Sequence, residues 1–412
     1  MYFSNEKKYV LMAKKLDHSL EQRLLHTLFF LFGFGIMAWV PRFPEVKTHL
    51  RLANGAFGSL MSTGSIGAFF GLLTVGHIIH RFGAFKVTIV SILILFSSLG
   101  VLVHIESSLL FLIFNISFGF GITAVHVCFN SQGFHFLERS KINLITSSAG
   151  FWSAGALSTA IFSGFLVGKI GLIVHINLLC AIITICMIGI VLRLRSVLLE
   201  SNLDAEDDYT IKEIFTGFRI DWPVSLGMAC AVYLEFAIGD WGTIFTKDRL
   251  GINAGLSAAP FIVFTAMMIC GRLLIHRLLP RAPIHLWVKR AALLAGIGFG
   301  SCIIVSTHLP ASMQWWSFTL FILGFALAGL GSSFIGPTFF AAANRRSSQP
   351  SAVVVGQFGV VNNVLTFGIK WIVAWTIQLT GSIALAMMIP TAMMLATVFF
   401  LDSLKENSKS KV

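Results

Sequence analysis

The sequence predicts an all-α integral membrane protein of twelve transmembrane helices, arranged as two pseudo-symmetric six-helix bundles. Three observations carry that prediction. Of the 412 residues, 56% are hydrophobic and 12% charged, about half the charged share of a soluble domain, and the mean hydropathy is +0.83. The apolar residues come in runs of about 20, the length that crosses a hydrocarbon core. The second half of the chain repeats the plan of the first.

The elements follow in order. Met1–Arg23 is polar, carries Lys7, Lys8, Lys14, Lys15 and Arg23, and reads as a cytosolic tail; no signal-peptide cleavage site follows it. Six spans are expected at Leu24–Arg42, Ala56–Ile79, Val87–His104, Leu109–Asn130, Leu144–Val167 and Leu172–Leu192. Together they make a first bundle over 24–192. Residues 193–221, with Asp204, Glu206, Asp207 and Asp208, form the longest polar interruption and read as a cytosolic linker. Its YTIKEIFTGFR portion has the pattern of a short amphipathic helix. Six more spans follow at Trp222–Phe245, Leu256–Ile275, Trp287–Val305, Trp315–Ile335, Ala352–Trp375 and Ser382–Leu401, a second bundle over 222–401, and residues 402–412 are a cytosolic tail. All spans are expected to be helical, because lipid offers no partners for free backbone groups.

Charge orients the chain. Arg81, Lys86, Arg139, Lys141, Arg193, Arg195, Arg277, Arg281, Lys289, Arg290, Arg345, Arg346 and Lys405 fall on the side of the N-terminus, and far fewer basic residues fall opposite. The positive-inside rule then puts both termini in the cytoplasm, as in a multi-pass protein of a bacterial inner membrane. The net charge of +12 is thereby an orientation bias and not a nucleic-acid surface. The six cysteines are scattered through apolar segments without metal-ligand spacing.

The repeat is visible residue by residue. KTHLRLANG (Lys47–Gly55) matches KDRLGINAG (Lys247–Gly255), each after a tryptophan, Trp39 or Trp241. The spans they open end in His80-Arg81 and His276-Arg277. Two halves in the same orientation are parallel repeats, an arrangement of secondary transporters.

Between spans two and three stands Gly76-His-Ile-Ile-His80-Arg81-Phe-Gly83. With twelve spans and a central linker, it resembles the signature loop of the major facilitator superfamily. Gly76, Arg81 and Gly83 fit, while His80 stands where an acid is usual. The resemblance implies a cytoplasmic gating latch there, which His80 would make pH-sensitive. WVPRFPEVKTHLRL, HVCFNSQGFHFLE, FWSAG and LEFAIGDWGTIF are similar to the fucose-permease-like, sugar-permease-related bacterial branch. His126 replaces an acid expected in that branch, and Ala149 a common histidine. The resemblance implies a substrate site between the halves, walled by spans one, four, seven, ten and eleven.

Several side chains are candidates for chemistry. Glu235 lies about 13 residues into span seven, or ~20 Å along the helix, near the midplane. Intramembrane acids are costly and mark pathways, although a static ion pair is the plain competitor. Asp240 and His126 are the other proton-coupling candidates; Asp240 could equally sit in the interfacial belt beside Trp241, and His126 could be a packed hydrogen-bonder. Substrate-binding candidates are Trp39, Trp152 and Trp241 for stacking, Arg42 at the outer end of span one, Asn130 one turn from His126, and Gln357, Asn362 and Asn363 on span eleven. Lys370 on that span either snorkels outward or is the cation for Glu235, Asp240 or an anionic substrate. Gly-rich runs lack the Lys-Ser/Thr of a phosphate loop and read as helix packing.

The reading that results is a non-enzymatic, cofactor-free secondary active transporter of a small polar solute, sugar or sugar-like, coupled to protons by alternating access and monomeric in the bilayer. An organic-anion carrier, an efflux antiporter for amphiphilic compounds and a transport-dead sensor on the same scaffold are the alternatives.

Overall fold

The computed structural model describes residues 17–142, 144–200, 220–252, 255–347 and 351–405. The proposed helix in YTIKEIFTGFR, the acidic linker residues, and the tails before 17 and after 405 lie outside the described residues. Among those described, all regular structure is helical.

Twelve helices are long and apolar enough to cross a membrane: α1 (His18–His49), α2 (Asn54–Phe82), α3 (Ala84–Leu102), α4 (Ser108–Ser140), α5 (Ser147–Leu166), α6 (Leu172–Leu194), α7 (Trp222–Leu250), α8 (Leu256–Ile275), α9 (Ile284–His308), α10 (Ala311–Arg346), α11 (Gln357–Thr380) and α12 (Ile383–Leu404). Each expected span is present. Several helices run past the hydropathy limits, because their ends are set by backbone stops rather than by the edge of the apolar run. α4 continues to a left-handed Lys141, and α7 to a left-handed Gly251.

The packing repeats with an offset of six. α2 and α3 pack on α4, and α3 and α1 on α6; likewise α8 and α9 pack on α10, and α9 and α7 on α12. The two bundles meet where α2 lies against α11, where α5 lies against α8, and where the distal end of α1 lies against α7. The repeat extends to single dihedrals. Arg51 and Gly251, equivalent in the two matched segments, both turn left-handed, at φ 54° and 59°. Glycine takes that conformation freely and arginine does so at a cost.

Besides the turn at Val40–Arg42 in α1, α2 and α10 are each broken. α2 is interrupted at Thr63, between Asn54–Ser62 and Gly64–Phe82. α10 is interrupted at Ser333 and Phe334, between Gln314–Ser332 and Ile335–Arg346. A break frees carbonyls, which in an apolar setting need a substitute donor. In α2 the donor is Asn115 of α4, whose Nδ2 reaches Leu60 O (2.8 Å), Met61 O (3.1 Å) and Thr63 Oγ1 (3.0 Å). In α10 it is Arg272 of α8, whose Nε donates to Ser333 O at 3.1 Å. The approach of α8 to α10 depends on Gly271, where an added Cβ would stand 2.2 Å from Ser333 Oγ.

The distal end, where α1 finishes, is sealed across the two bundles. Gly55 N–H donates to Gln378 Oε1 (3.0 Å), Thr243 Oγ1 to Val40 O (3.2 Å), and Lys47 Nζ pairs with Asp248 at 3.4 Å. Trp241, 3% exposed, is wedged there against Phe57 and Gly58. At the opposite end, two ion pairs each tie helices of one bundle: Glu21–Arg139 (2.5 Å) joins α1 to α4, and Asp221–Arg346 (2.6 Å) joins the start of α7 to the end of α10.

The Asn115 cap gives a direct test. Asn115→Leu removes the side-chain donor from Met61 O, whereas Leu60 O keeps the hydroxyl and N–H of Thr63, at about 1–3 kcal/mol for such a loss. The purified variant should unfold at a clearly lower temperature than the parent in detergent. An unchanged melting curve would show that the break needs no cap.

Candidate functional site

α7 carries Glu235 into the middle of the fold. Ala231 and Ile238, one turn to either side on the same helix face, are both buried, so that face meets other helices. The Glu235 side chain keeps part of its surface accessible. Its carboxylate makes no hydrogen bond or ion pair with any described residue. The charge acting on it is the guanidinium of Arg272, which lies beyond ion-pair distance.

Arg272 itself spans the seam between bundles. Besides its bond to the α10 break, Nη1 donates to Ser153 Oγ of α5 at 2.7 Å, and Nη2 approaches Met268 Sδ at 3.4 Å. Ser153 passes its own proton to Ala149 O (3.0 Å), so its oxygen is free to accept. A guanidinium has five donors. Three are placed here, one of them on a weak sulfur acceptor, and the remaining two are unused. The site thus brings a carboxylate on α7 under the charge of a cation on α8 that has two donors unused, with α5 and α10 supplying the cation's oxygen partners.

The sequence candidates distribute around this centre. Trp152 is half-buried and precedes Ser153; its backbone is where α1 and α5 touch, since a Cβ on Gly33 would meet Trp152 O at 2.2 Å. His126 keeps accessible surface inside the protein and stacks on Phe32, ring centroids 6.2 Å apart. Asn130 turns back to donate to His126 O at 2.9 Å. On α11, Gln357 is buried, Asn363 is half-buried, and Asn362 donates to Phe358 O while its Oδ1 is buried without a partner.

The remaining candidates are engaged elsewhere in this conformation. Lys370 pairs with Asp240 at 2.7 Å and lies over the Phe236 ring, so of the carboxylates open to it Asp240 is the one it meets. Trp39 is 4% exposed, edge-on to Phe43 and Phe118 at 5.0 Å each. Trp241 fills the distal seal. Arg42 is fully buried with Nη1 on Glu45 (2.7 Å), deeper than an interfacial anchor, because a short turn, Val40–Arg42, folds it back into the bundle. In the loop between α2 and α3, Gly83 has φ 80° and ends α2, Ala84 N–H is held by Leu199 O (2.9 Å), Arg81 lies over Phe82, Gly76 is exposed, and His80 is half-buried.

Sequence reasoning passed over Arg272, Ser153 and the Glu21–Arg139 pair. Arg272 stands four residues before a pair of basic end residues, His276-Arg277, where an arginine ordinarily snorkels to the interface. The signal that could have found it is the preceding glycine, which lets its backbone come close to a broken helix.

The fold has counterparts among known proteins. A point mutant of the nucleoside transporter NupG superposes with a TM-score of 0.74 at 12% identity, over 93% of this chain and all of that one. The D-xylose–proton symporter gives 0.71 at 15%, over 95% and 99%. The fucose:proton symporter of E. coli gives 0.64 at 16%, over 95% and 100%. In sequence, an uncharacterized MFS-type transporter of Yersinia pestis is 24% identical over 339 residues, 81% of this chain and 83% of the relative. Residues 25–369 match the Major Facilitator Superfamily model, which takes in the first bundle and the second as far as the middle of α11, with Glu235 and Arg272 inside the matched range. With its twelve helices and six-helix offset, this chain belongs to the major facilitator superfamily of membrane transporters.

Proposed function

We propose that the protein is a secondary active transporter that moves a small polar, sugar-like solute by alternating access, coupled to protons through Glu235. The observation that carries the reading is an intramembrane carboxylate with no hydrogen-bond or ion-pair partner among the described residues, under the charge of an arginine that reaches the other bundle. An ionised acid at such depth costs roughly 2.5–3.5 kcal/mol on insertion scales. A carboxylate that takes up and gives back a proton escapes that cost in one of its two states, and a gradient can drive the exchange. The chain carries no nucleotide motif, so a gradient is the energy source this reading requires.

In this reading residues 24–192 and 222–401 rock as two units about the gap, joined by a cytosolic linker over 193–221, with cytosolic tails at 1–23 and 402–412. The basic loops face the cytoplasm. The distal seal of Lys47–Asp248, Gly55–Gln378 and Trp241 is then the closed outer gate. Glu21–Arg139 and Asp221–Arg346 keep each bundle rigid at its cytoplasmic end. Proton-coupled sugar uptake is favoured by two structural relatives, whose names give D-xylose and fucose with a proton as their cargo. His126 and Asn130 on one side, and Asn362 and Asn363 on the other, supply groups for hydroxyls. The protein is read as a monomer in the bacterial inner membrane.

Two experiments test this. Glu235→Gln removes the proton site while keeping the shape. A pH step of one unit stores about 1.4 kcal/mol per proton, enough for roughly tenfold accumulation. In proteoliposomes the variant should lose that accumulation and retain exchange; accumulation equal to the parent would remove Glu235 from the coupling. Separately, Lys47→Cys with Asp248→Cys, built after replacing the six native cysteines, should stop transport when bridged by a short bifunctional thiol reagent. Transport that survives bridging would mean the distal seal never opens.

A further inference from the structure

We infer that the preferred solute is a hydroxylated monoanion, its carboxylate on Arg272 and a neighbouring hydroxyl directed at Glu235. The inference rests on the transporter reading above and narrows its substrate.

The first support is the hydrogen-bond inventory. Arg272 has two N–H groups without an acceptor and a third on sulfur, while Glu235 has no donor. The two are close enough for their charges to act on each other yet too far apart to pair directly. A solute with an acceptor at one end and a hydroxyl at the other completes both. Guanidinium offers a planar fork that matches a carboxylate's two oxygens, which a sugar hydroxyl does not match.

The second support is charge accounting. Asp240 and Lys370 neutralise one another on α7 and α11. Arg272 therefore supplies a permanent +1 at the gap, and Glu235 is the titratable group it faces. Empty, with Glu235 ionised, the pair sums to zero. Loaded with a monoanion and with the proton on Glu235, the site again sums to zero. A neutral sugar with the same proton leaves +1 to be carried through a low-dielectric region, where an uncompensated charge is expensive. Uptake of the anion with one proton is electroneutral, and uptake of a sugar with one proton is not.

The third support is what became of Lys370. It was the cation most open to an anionic solute, and its ammonium is taken by Asp240 at 2.7 Å. Among the described residues two intramembrane arginines keep donors without an acceptor: Arg42 is fully buried beside Glu45, whereas Arg272 keeps accessible surface and is held in place by Ser333 O and Ser153 Oγ, so that its donors keep a fixed direction and can be reached.

The test uses the full-length protein in proteoliposomes, with D-gluconate and L-lactate as anionic probes and D-glucose and glycerol as neutral counterparts. The anions should accumulate under an inward proton gradient, and a potassium–valinomycin potential should leave their uptake rate unchanged. Arg272→Gln should weaken anion binding by about 10- to 100-fold, the loss expected for a hydrogen bond to a charged group. Arg272→Lys should restore part of it. The potential measurement needs no variant, so it decides the matter even if Arg272→Gln fails to fold. Proton-driven uptake confined to the neutral solutes, or sped by an interior-negative potential, would overturn the anion assignment while leaving the transporter intact. Uptake of none of the four, with Glu235→Gln indistinguishable from the parent in binding all four, would overturn both.

Discussion

A guanidinium in the membrane interior has to find partners, and the arrangement of this protein follows from where Arg272 finds them. Its Nε caps the carbonyl released by the break in α10, its Nη1 crosses to Ser153 on the other bundle, and its charge bears on Glu235 of α7. Four helices from two bundles are thereby tied to one side chain. The contact exists because residue 271 is glycine. Any larger residue would hold α8 away from Ser333 and leave both the carbonyl and the cation without each other. Low dielectric makes such an arrangement strong when complete and costly when not, so the vacant donors of Arg272 and the vacant oxygens of Glu235 are the least settled groups in the site.

The same principle explains the second broken helix. In α2 the freed carbonyls are met by a neutral amide, Asn115, which stays within one bundle and brings no charge. In α10 they are met by a cation that also reaches across the seam. The first device serves packing alone, whereas the second joins packing to an ionisable centre. That difference separates a structural polar group from one able to respond to a proton or a solute, although both sit in comparably apolar spans.

Seal and site are mechanically separate. The distal end is closed by the partly exposed Lys47–Asp248 pair, by Gly55–Gln378 and by the buried Thr243–Val40 bond. The interior of each bundle is held by close helix approach and by the ion pairs at the other end, in which Glu21 is wholly buried.

Much of this was legible in the residues. Twelve spans, their helical character and the two-fold plan follow from run length and from the demand that every backbone group in lipid be paired, constraints that act locally along the chain. Glu235 stood out because an acid in an apolar run has no cheap local explanation. The match of Lys47–Gly55 with Lys247–Gly255 proved to extend to backbone conformation, with Arg51 and Gly251 both left-handed. Tertiary structure alone decided which partner each polar group has. Lys370 meets Asp240 because α11 lies against α7 at that depth, Trp39 and Trp241 are spent on packing, and Arg272 turns inward instead of snorkelling because a broken neighbour offers it a carbonyl. Depth along a helix is written in the sequence; the direction a side chain takes is set by the helices beside it, which the sequence of that helix does not contain.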